Sequence, residues 1–372
     1  LSAPLVGGSG TRSHTFERYK YMLDFSGFGD LSKFELVNLE ILCGGDASGV
    51  MLAATGSVFR LADCVFNRPK DRAITSYNQG CQGLIVDTCQ FLSNEQSVPA
   101  QNRTTIVLNV NQNDVKIRGC RAARFASTAI MQGGGHLIVG NHFFQGDDEP
   151  TGTRRAGIVL TTPNCMTTIT GNYLDNCFVE MTNEHADQPD YNAQYGFGGL
   201  ATTGNTFLAQ SVGRWLSWSL VTPRGAGHFI SGLSVIGNVF RCREVSIERV
   251  ERVDTTYATL NYTSFKNISF ESNTFNGVSQ ATCSPLLIEH VQGTAADTWV
   301  VDGAGYMPFL GRARNVTGVV VEGALTNAAN TTQWAQPYAL TEQGASGGLV
   351  NLKWPSAVKG RAQVTIRCDN PI

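Results

Sequence analysis

The sequence predicts an all-β chain wound as a right-handed parallel β-helix. Three observations carry this. The chain is rich in glycine and poor in charge: of 372 residues, 40 are Gly and only 16% are Asp, Glu, Lys or Arg. A weakly charged chain that is 42% apolar buries a core and needs many turns. Second, one short pattern recurs along most of the length. Third, that pattern alternates apolar and other residues with a period of two, the signature of strands, and no segment carries a helical stripe.

The repeat is an alternating apolar run, a small residue, Asn or Cys, and an aromatic or apolar residue two places on. It begins weakly at Phe34-Glu-Leu-Val-Asn38. Clear copies follow at Leu61-Ala-Asp-Cys64-Val-Phe66, Ile85-Val-Asp-Thr-Cys89-Gln-Phe91 and Ile117-Arg-Gly-Cys120. The later ones carry Asn: Ile138-Val-Gly-Asn141-His-Phe143, Ile169-Thr-Gly-Asn172-Tyr-Leu174 and Ala201-Thr-Thr-Gly-Asn205-Thr-Phe207. Val235-Ile-Gly-Asn238-Val-Phe240 and Phe270-Glu-Ser-Asn273-Thr-Phe275 complete the set, and Val316-Thr-Gly-Val-Val-Val321 is a degenerate candidate for a last copy. Successive Asn/Cys positions lie 21 to 35 residues apart. One turn of chain per such interval means a solenoid of about nine to ten rungs, ~45 Å long at ~4.8 Å per rung.

In a stacked solenoid each position meets its own copy one rung away. An inward Asn can then donate and accept along a ladder, and Cys64, Cys89 and Cys120 replace it as small buried groups. The ten cysteines, none in a C-x-x-C pair, are therefore expected to be mostly free thiols. Each rung is expected to hold a second strand. The candidates are Ala73–Ser76, Thr105–Leu108, Thr128–Met131, Gly157–Leu160, Phe178–Met181, Leu216–Ser219, Val245–Glu248 and Leu286–Glu289. Residues 1–30 form a lead-in, 31–325 the β-helix, and 326–372 a C-terminal cap or oligomerisation segment. In that last part Leu349–Trp354 and Ala362–Arg367 are expected as two strands around a turn at 355–360.

The net charge of −2 gives no basic surface for nucleic acid. No apolar run is long enough to span a membrane. The N-terminus has neither a charged region nor an apolar stretch of signal-peptide type, which suggests a processed product or a fragment. No metal or cofactor motif is present.

Taken together, the repeated Gly-Asn-x-Phe units resemble the pectin-lyase-like superfamily of right-handed β-helices over residues 30–325. The short C-terminal β segment makes the chain most similar to its spike members, carried by phages and by phage-like gene transfer particles. The resemblance implies a spike that recognises cell-surface polysaccharide, such as a bacterial capsule, for host attachment. It also implies a homotrimer on a phage-like particle, located outside cells or on the particle surface. The superfamily's enzymes offer the alternative of a glycoside hydrolase or polysaccharide lyase. Of the polygalacturonase motifs only Gly146-Asp147-Asp148 occurs, so the resemblance brings no mechanism.

Loop lengths place the candidate site. The return connections at 183–199, 221–231 and 249–265 are long, and three successive rungs set them side by side. Glu184 with Glu251 or Asp254 could serve as acid and base, at a separation near the upper end of an inverting pair. His185, Asp187, Asp190, Arg224, His228, Arg252 and Tyr257 would line the same surface. Asp147, Asp148 and Glu149 could hold sugar hydroxyls or bind a cation through their oxygens. Trp215 is expected to point outward as a flat apolar platform for a pyranose ring or as a contact between subunits, with Trp218 in the core.

Overall fold

The computed structural model describes residues 5–6, 20–28, 31–52, 56–76, 82–111, 113–145, 156–183 and 196–370. Among them, three parallel sheets stack strand on strand, and a smaller antiparallel sheet closes the C-terminal end. The first sheet runs from Phe34–Val37 to Lys266–Glu271, nine strands in all among the described residues. The second ends at Thr274–Asn276, and the third runs from Tyr21–Asp24 to Glu251–Val253.

Each rung therefore has three strands, where the sequence suggested two. The repeat itself is two short strands meeting at a corner, as in Phe59–Ala62 and Val65–Asn67 around Cys64. The residue before the corner takes a left-handed conformation: Asp63, Thr88, Gly119, Gly140, Gly171, Gly204, Gly237 and Ser272 all have φ between 50° and 65°. Asn38 has φ 57°, so it occupies this turn position, and Leu39 rather than Asn38 holds the ladder site of the first rung. Asn tolerates left-handed backbone better than most side chains, which is why it can stand there without joining the ladder.

The corner explains the Asn/Cys exchange. The backbone N–H groups of Asn141, Asn172, Asn205 and Asn238 each donate to the side-chain Oδ1 of the next ladder Asn, at 2.9–3.0 Å. Each Nδ2 donates to that same oxygen and to a carbonyl of the rung before, from Asn141 to Ile117 through Asn238 to Thr202. In the early rungs a thiol takes the second role. Cys64, Cys89 and Cys120 direct Sγ to the carbonyls of Leu36, Leu61 and Val86 at 3.5–3.6 Å. All nine described cysteines are free, and burial holds Cys165 up at about 11 and Cys43 at about 12.

Two residues after the corner the side chain points inward. Ile41, Phe66, Phe91, Ala122, Phe143, Leu174, Phe207, Phe240 and Phe275 form one column through the second sheet. Phe66 stacks on Phe91 at 5.0 Å and Phe207 on Phe240 at 5.0 Å.

In the third sheet the early strands match expectation and the late ones shift. The eighth is Ser219–Thr222 rather than 216–219, and the ninth is Glu251–Val253 rather than 245–248. The connections before them carry their own inward residues, Leu216, Trp218 and Ile247, so alternation alone mimics a strand there. Parallel winding stops at Asn276, well short of 325. Leu286–Asp302, Asn315–Thr326 and Tyr338–Gln343 pair antiparallel with one continuous strand, Leu349–Arg367. Alternation reads alike in parallel and antiparallel strands, which is why 286–289 and 316–321 resembled further rungs, and no turn interrupts 355–360. The cap docks on the last rung: Ile268 N–H donates to Asp369 Oδ2 at 2.8 Å, and Arg367 donates to Ile268 O at 3.0 Å.

His136 lies 2% exposed where the third sheet returns to the first, and its Nδ1 accepts from Val115 N–H. Burial depresses its pKa to about 4, against the pull of the nearby Gly133 and Gln132 carbonyls and Asp114. The unfolded chain then takes up a proton first as pH falls. Stability should be complete above about pH 6.5 and decline toward pH 4, by ~3 kcal/mol in total. Melting curves across that range should show the loss, and His136→Gln should flatten it.

Candidate functional site

The last three strands of the third sheet end at one edge, where the late return connections begin. Their register aligns Thr182 with Thr222 and Val221 with Val253, and Asp254 N–H donates to Val221 O at 2.8 Å. Glu180 stands on the outer face of its strand, in the same row as Leu220 and Arg252. Thr222 Oγ1 donates to Glu180 Oε1 at 2.6 Å, and Thr182 Oγ1 donates to the Thr222 carbonyl.

One residue further on, Asn183 ties two rungs together. Its Oδ1 accepts from Arg224 N–H at 2.8 Å, and its Nδ2 meets His228 Nε2 at 2.9 Å. His228 is fully buried, edge-on to Phe197 at 5.6 Å. The turn from Arg224 to His228 is thus held from below, and the Arg224 guanidinium lies over the Tyr257 ring at 4.3 Å. Tyr257 is 58% exposed. Asp254 accepts from Thr256 through both its N–H and its hydroxyl, which fixes the carboxylate at the strand end.

An anchored arginine braced on an exposed tyrosine, with carboxylates and hydroxyls on its own rung and the rungs on either side, suits a polyhydroxylated ligand. The ring offers a flat apolar face, and the polar groups set register. Among the described residues no cluster of His, Cys, Asp or Glu is placed to hold a metal ion. No described helix is long and apolar enough to cross a membrane.

No family model matches the chain, and no curated protein matches it by sequence. Among solved structures it is similar to tailspike proteins of E. coli bacteriophage HK620. One, a mutant in complex with pentasaccharide, gives a TM-score of 0.45 at 13% identity, over 94% of this chain and 71% of that one. A double mutant with pentasaccharide gives 0.44 at 14%, over 94% and 71%, and a mutant with hexasaccharide 0.43 at 13%, over 90% and 69%.

The structure places Arg224, His228, Asp254 and Tyr257 on the connections that leave the last two strands of the third sheet, with Arg224 over Tyr257. Two candidates are corrected, and Trp215 proves to stand apart from the others. Glu251 is not a surface acid: its side chain is wholly buried and accepts from Arg249, from Thr282 Oγ1 at 2.8 Å and from Phe309 N–H at 3.2 Å. Burial pushes its carboxyl up, and Arg249, Thr282 and Phe309 pull it back. It sits under the C-terminal sheet, which the sequence did not place there. His228 is structural rather than exposed. Trp215 lies before the strand Ser219–Thr222 while Arg224 lies after it, so the two stand at opposite edges of the third sheet. Its half-buried ring folds back over Gly213. Asp147, Asp148, Glu149, Glu184, His185, Asp187 and Asp190 lie outside the described residues. Sequence reasoning missed Glu180, Asn183 and Thr222. A signal existed for Glu180: a lone acid in the apolar run Phe178-Val-Glu-Met181 must face outward.

Proposed function

We propose that the chain recognises a cell-surface polysaccharide along the outer edge of the third sheet, as the β-helical spike of a phage-like particle. The observation that carries this is the Arg224–Tyr257 stack, fixed by Asn183 and flanked on successive rungs by Glu180, Thr222 and Asp254. Rungs ~4.8 Å apart present such groups as a row, which suits a repeating polymer better than a small molecule. The C-terminal sheet supports a homotrimer: Leu287, Val291, Val300, Val320 and Tyr338 stand exposed on its outer face among the Arg361–Glu289 and Arg361–Glu322 pairs, a mixed surface that a second and third copy would cover.

A second reading is hydrolysis by Glu180 and Asp254. They stand two rungs apart, ~9.6 Å by strand spacing, and two residues out of register, an offset that Glu180 shortens by leaning toward Thr222; an inverting pair would need the two carboxyl groups to close to ~9.5 Å or less.

Both readings are tested by a panel of capsular and acidic polysaccharides, followed by retention and polymer length. Recognition predicts retention of one polymer without shortening. Arg224→Ala and Tyr257→Ala should each weaken it about tenfold, the scale of a lost stacking contact. Shortening that Glu180→Gln abolishes would establish the hydrolase instead. Light scattering in the same samples should give about three times the 40.1 kDa chain mass; a monomer mass would remove the trimer.

A further inference from the structure

A cleft of about 330 Å³ opens between the last strand of the third sheet and the turn Met307–Gly311 of the cap. Its walls are Glu248, Arg252, Thr255, Tyr262 and Leu310. The floor is the Arg249–Glu251 pair, which is saturated: Arg249 also donates to the carbonyls of Gly305 and Met307. That floor is rigid and carries no net charge.

The cap side is strained. Phe309 and Leu310 are consecutive left-handed residues, each with φ 57°, a conformation that crowds any side chain. Phe309 is held there by burial and by its N–H to Glu251. The result is that Leu310 stands 61% exposed at the rim. Strained backbone that is fixed from behind and presents one side chain is typical of a binding edge.

Two features decide the occupant. Tyr262 is half-buried with its ring tilted against Phe265 at 5.1 Å, and burial raises its phenol pKa, so its hydroxyl stays a neutral donor. Among the described residues, Arg252 has a long contact to Glu248, 3.6 Å, in which both side chains remain solvated. Arg312, close enough to act on Tyr262, has a similarly long contact to Glu342 at 3.9 Å. A planar carboxylate can offer a guanidinium two parallel hydrogen bonds and displace such a loose partner. Around it the cleft provides an aromatic ring, an aliphatic rim and the Thr255 hydroxyl. Its volume, at the small end of ligand pockets, limits the occupant to about one or two sugar rings.

We propose that this cleft is a subsite for an acidic sugar residue, a uronate or another carboxylate-bearing pyranose, with Arg252 taking the carboxylate and Tyr262 and Leu310 the ring. It rests on the polysaccharide reading and narrows it to acidic glycans, bound in continuity with the edge at Arg224 and Tyr257, since Arg252 lies on the same strand that leads to Asp254.

The test uses the full chain against polygalacturonate, alginate, polysialic acid and an acidic capsule, each beside its own carboxyl-reduced neutral form, by titration calorimetry. One acidic polymer should bind at least tenfold tighter than its reduced form. Arg252→Gln should erase that difference, weakening the acidic form at least tenfold more than the reduced form, and Arg224→Ala should weaken both forms alike. Equal binding of the two forms, or an Arg252→Gln effect of the same size on both, overturns the acidic subsite and leaves polysaccharide recognition standing. Failure to bind any polymer of the panel overturns both.

Discussion

Asn205→Ala should lower the stability of the stack by ~3–5 kcal/mol. The side chain it removes accepts from Asn172 N–H and Nδ2, both at 2.9 Å, and donates to Ile169 O and Asn238 Oδ1, both at 3.0 Å. Every one of these partners is buried, so the alanine leaves polar groups with no water to replace what they lose. Asn141→Cys should cost much less, ~1–2 kcal/mol. At that position a thiol has a precedent on the neighbouring rung: Cys120 donates to Val86 O, and its Sγ accepts from Cys89 N–H. A cysteine at 141 would extend the thiol block by one rung and give up chiefly the Nδ2 bond to Asn172. Urea unfolding of the two variants gives the comparison directly. Equal losses would mean that thiol and amide are not interchangeable in this corner.

Glu251→Ala should be as damaging, ~3–5 kcal/mol, because it strands a charge instead of only deleting bonds. Arg249 would keep its carbonyl contacts but lose its counter-ion, while Thr282 and Phe309 N–H lose their acceptor. Replacing both partners with apolar residues, Arg249→Met with Glu251→Leu, should recover most of the loss, since no uncompensated charge remains. Chemical denaturation of the two single variants and the double closes this cycle. If Glu251 were instead a surface acid, its alanine variant would melt with the parent and the cycle would be flat.

The repeat made the fold legible because the same contacts recur on every rung, so nine weak local signals add. It was legible down to the stacked phenylalanines two places past each corner. What it hid were the differences between rungs. Asn38 wears the ladder residue's chemistry but sits one place early, where backbone conformation and not side-chain pairing chooses it. Leu216, Trp218 and Ile247 alternate like a strand because they plug the same core from a loop. Glu251 reads as solvated, lying among Arg249, Arg252 and Asp254, and only the arrival of Phe309 from 58 positions away buries it. At the candidate site, Arg224, Asp254 and Tyr257 were legible from loop length, which depends on counting. Glu180 and Asn183 were not, because their role comes from register between rungs: a carboxylate gains meaning only when Thr222 and Arg224 are aligned beside it.

The strand Leu349–Arg367 has one more consequence, in the order in which the molecule can be built. All of its partners, Leu286–Asp302, Asn315–Thr326 and Tyr338–Gln343, precede it in the chain, and so does Ile268, which Arg367 and Asp369 grip. A ribosome delivers the rungs first, and each can settle on the one before it as it emerges. The closing sheet has no centre until residue 349 and no clasp until residue 369. During that interval the last rung is an open template for any passing strand. The outer face of the closing sheet is assembled only by the same late strand, so a chain cannot present it before its own winding is sealed.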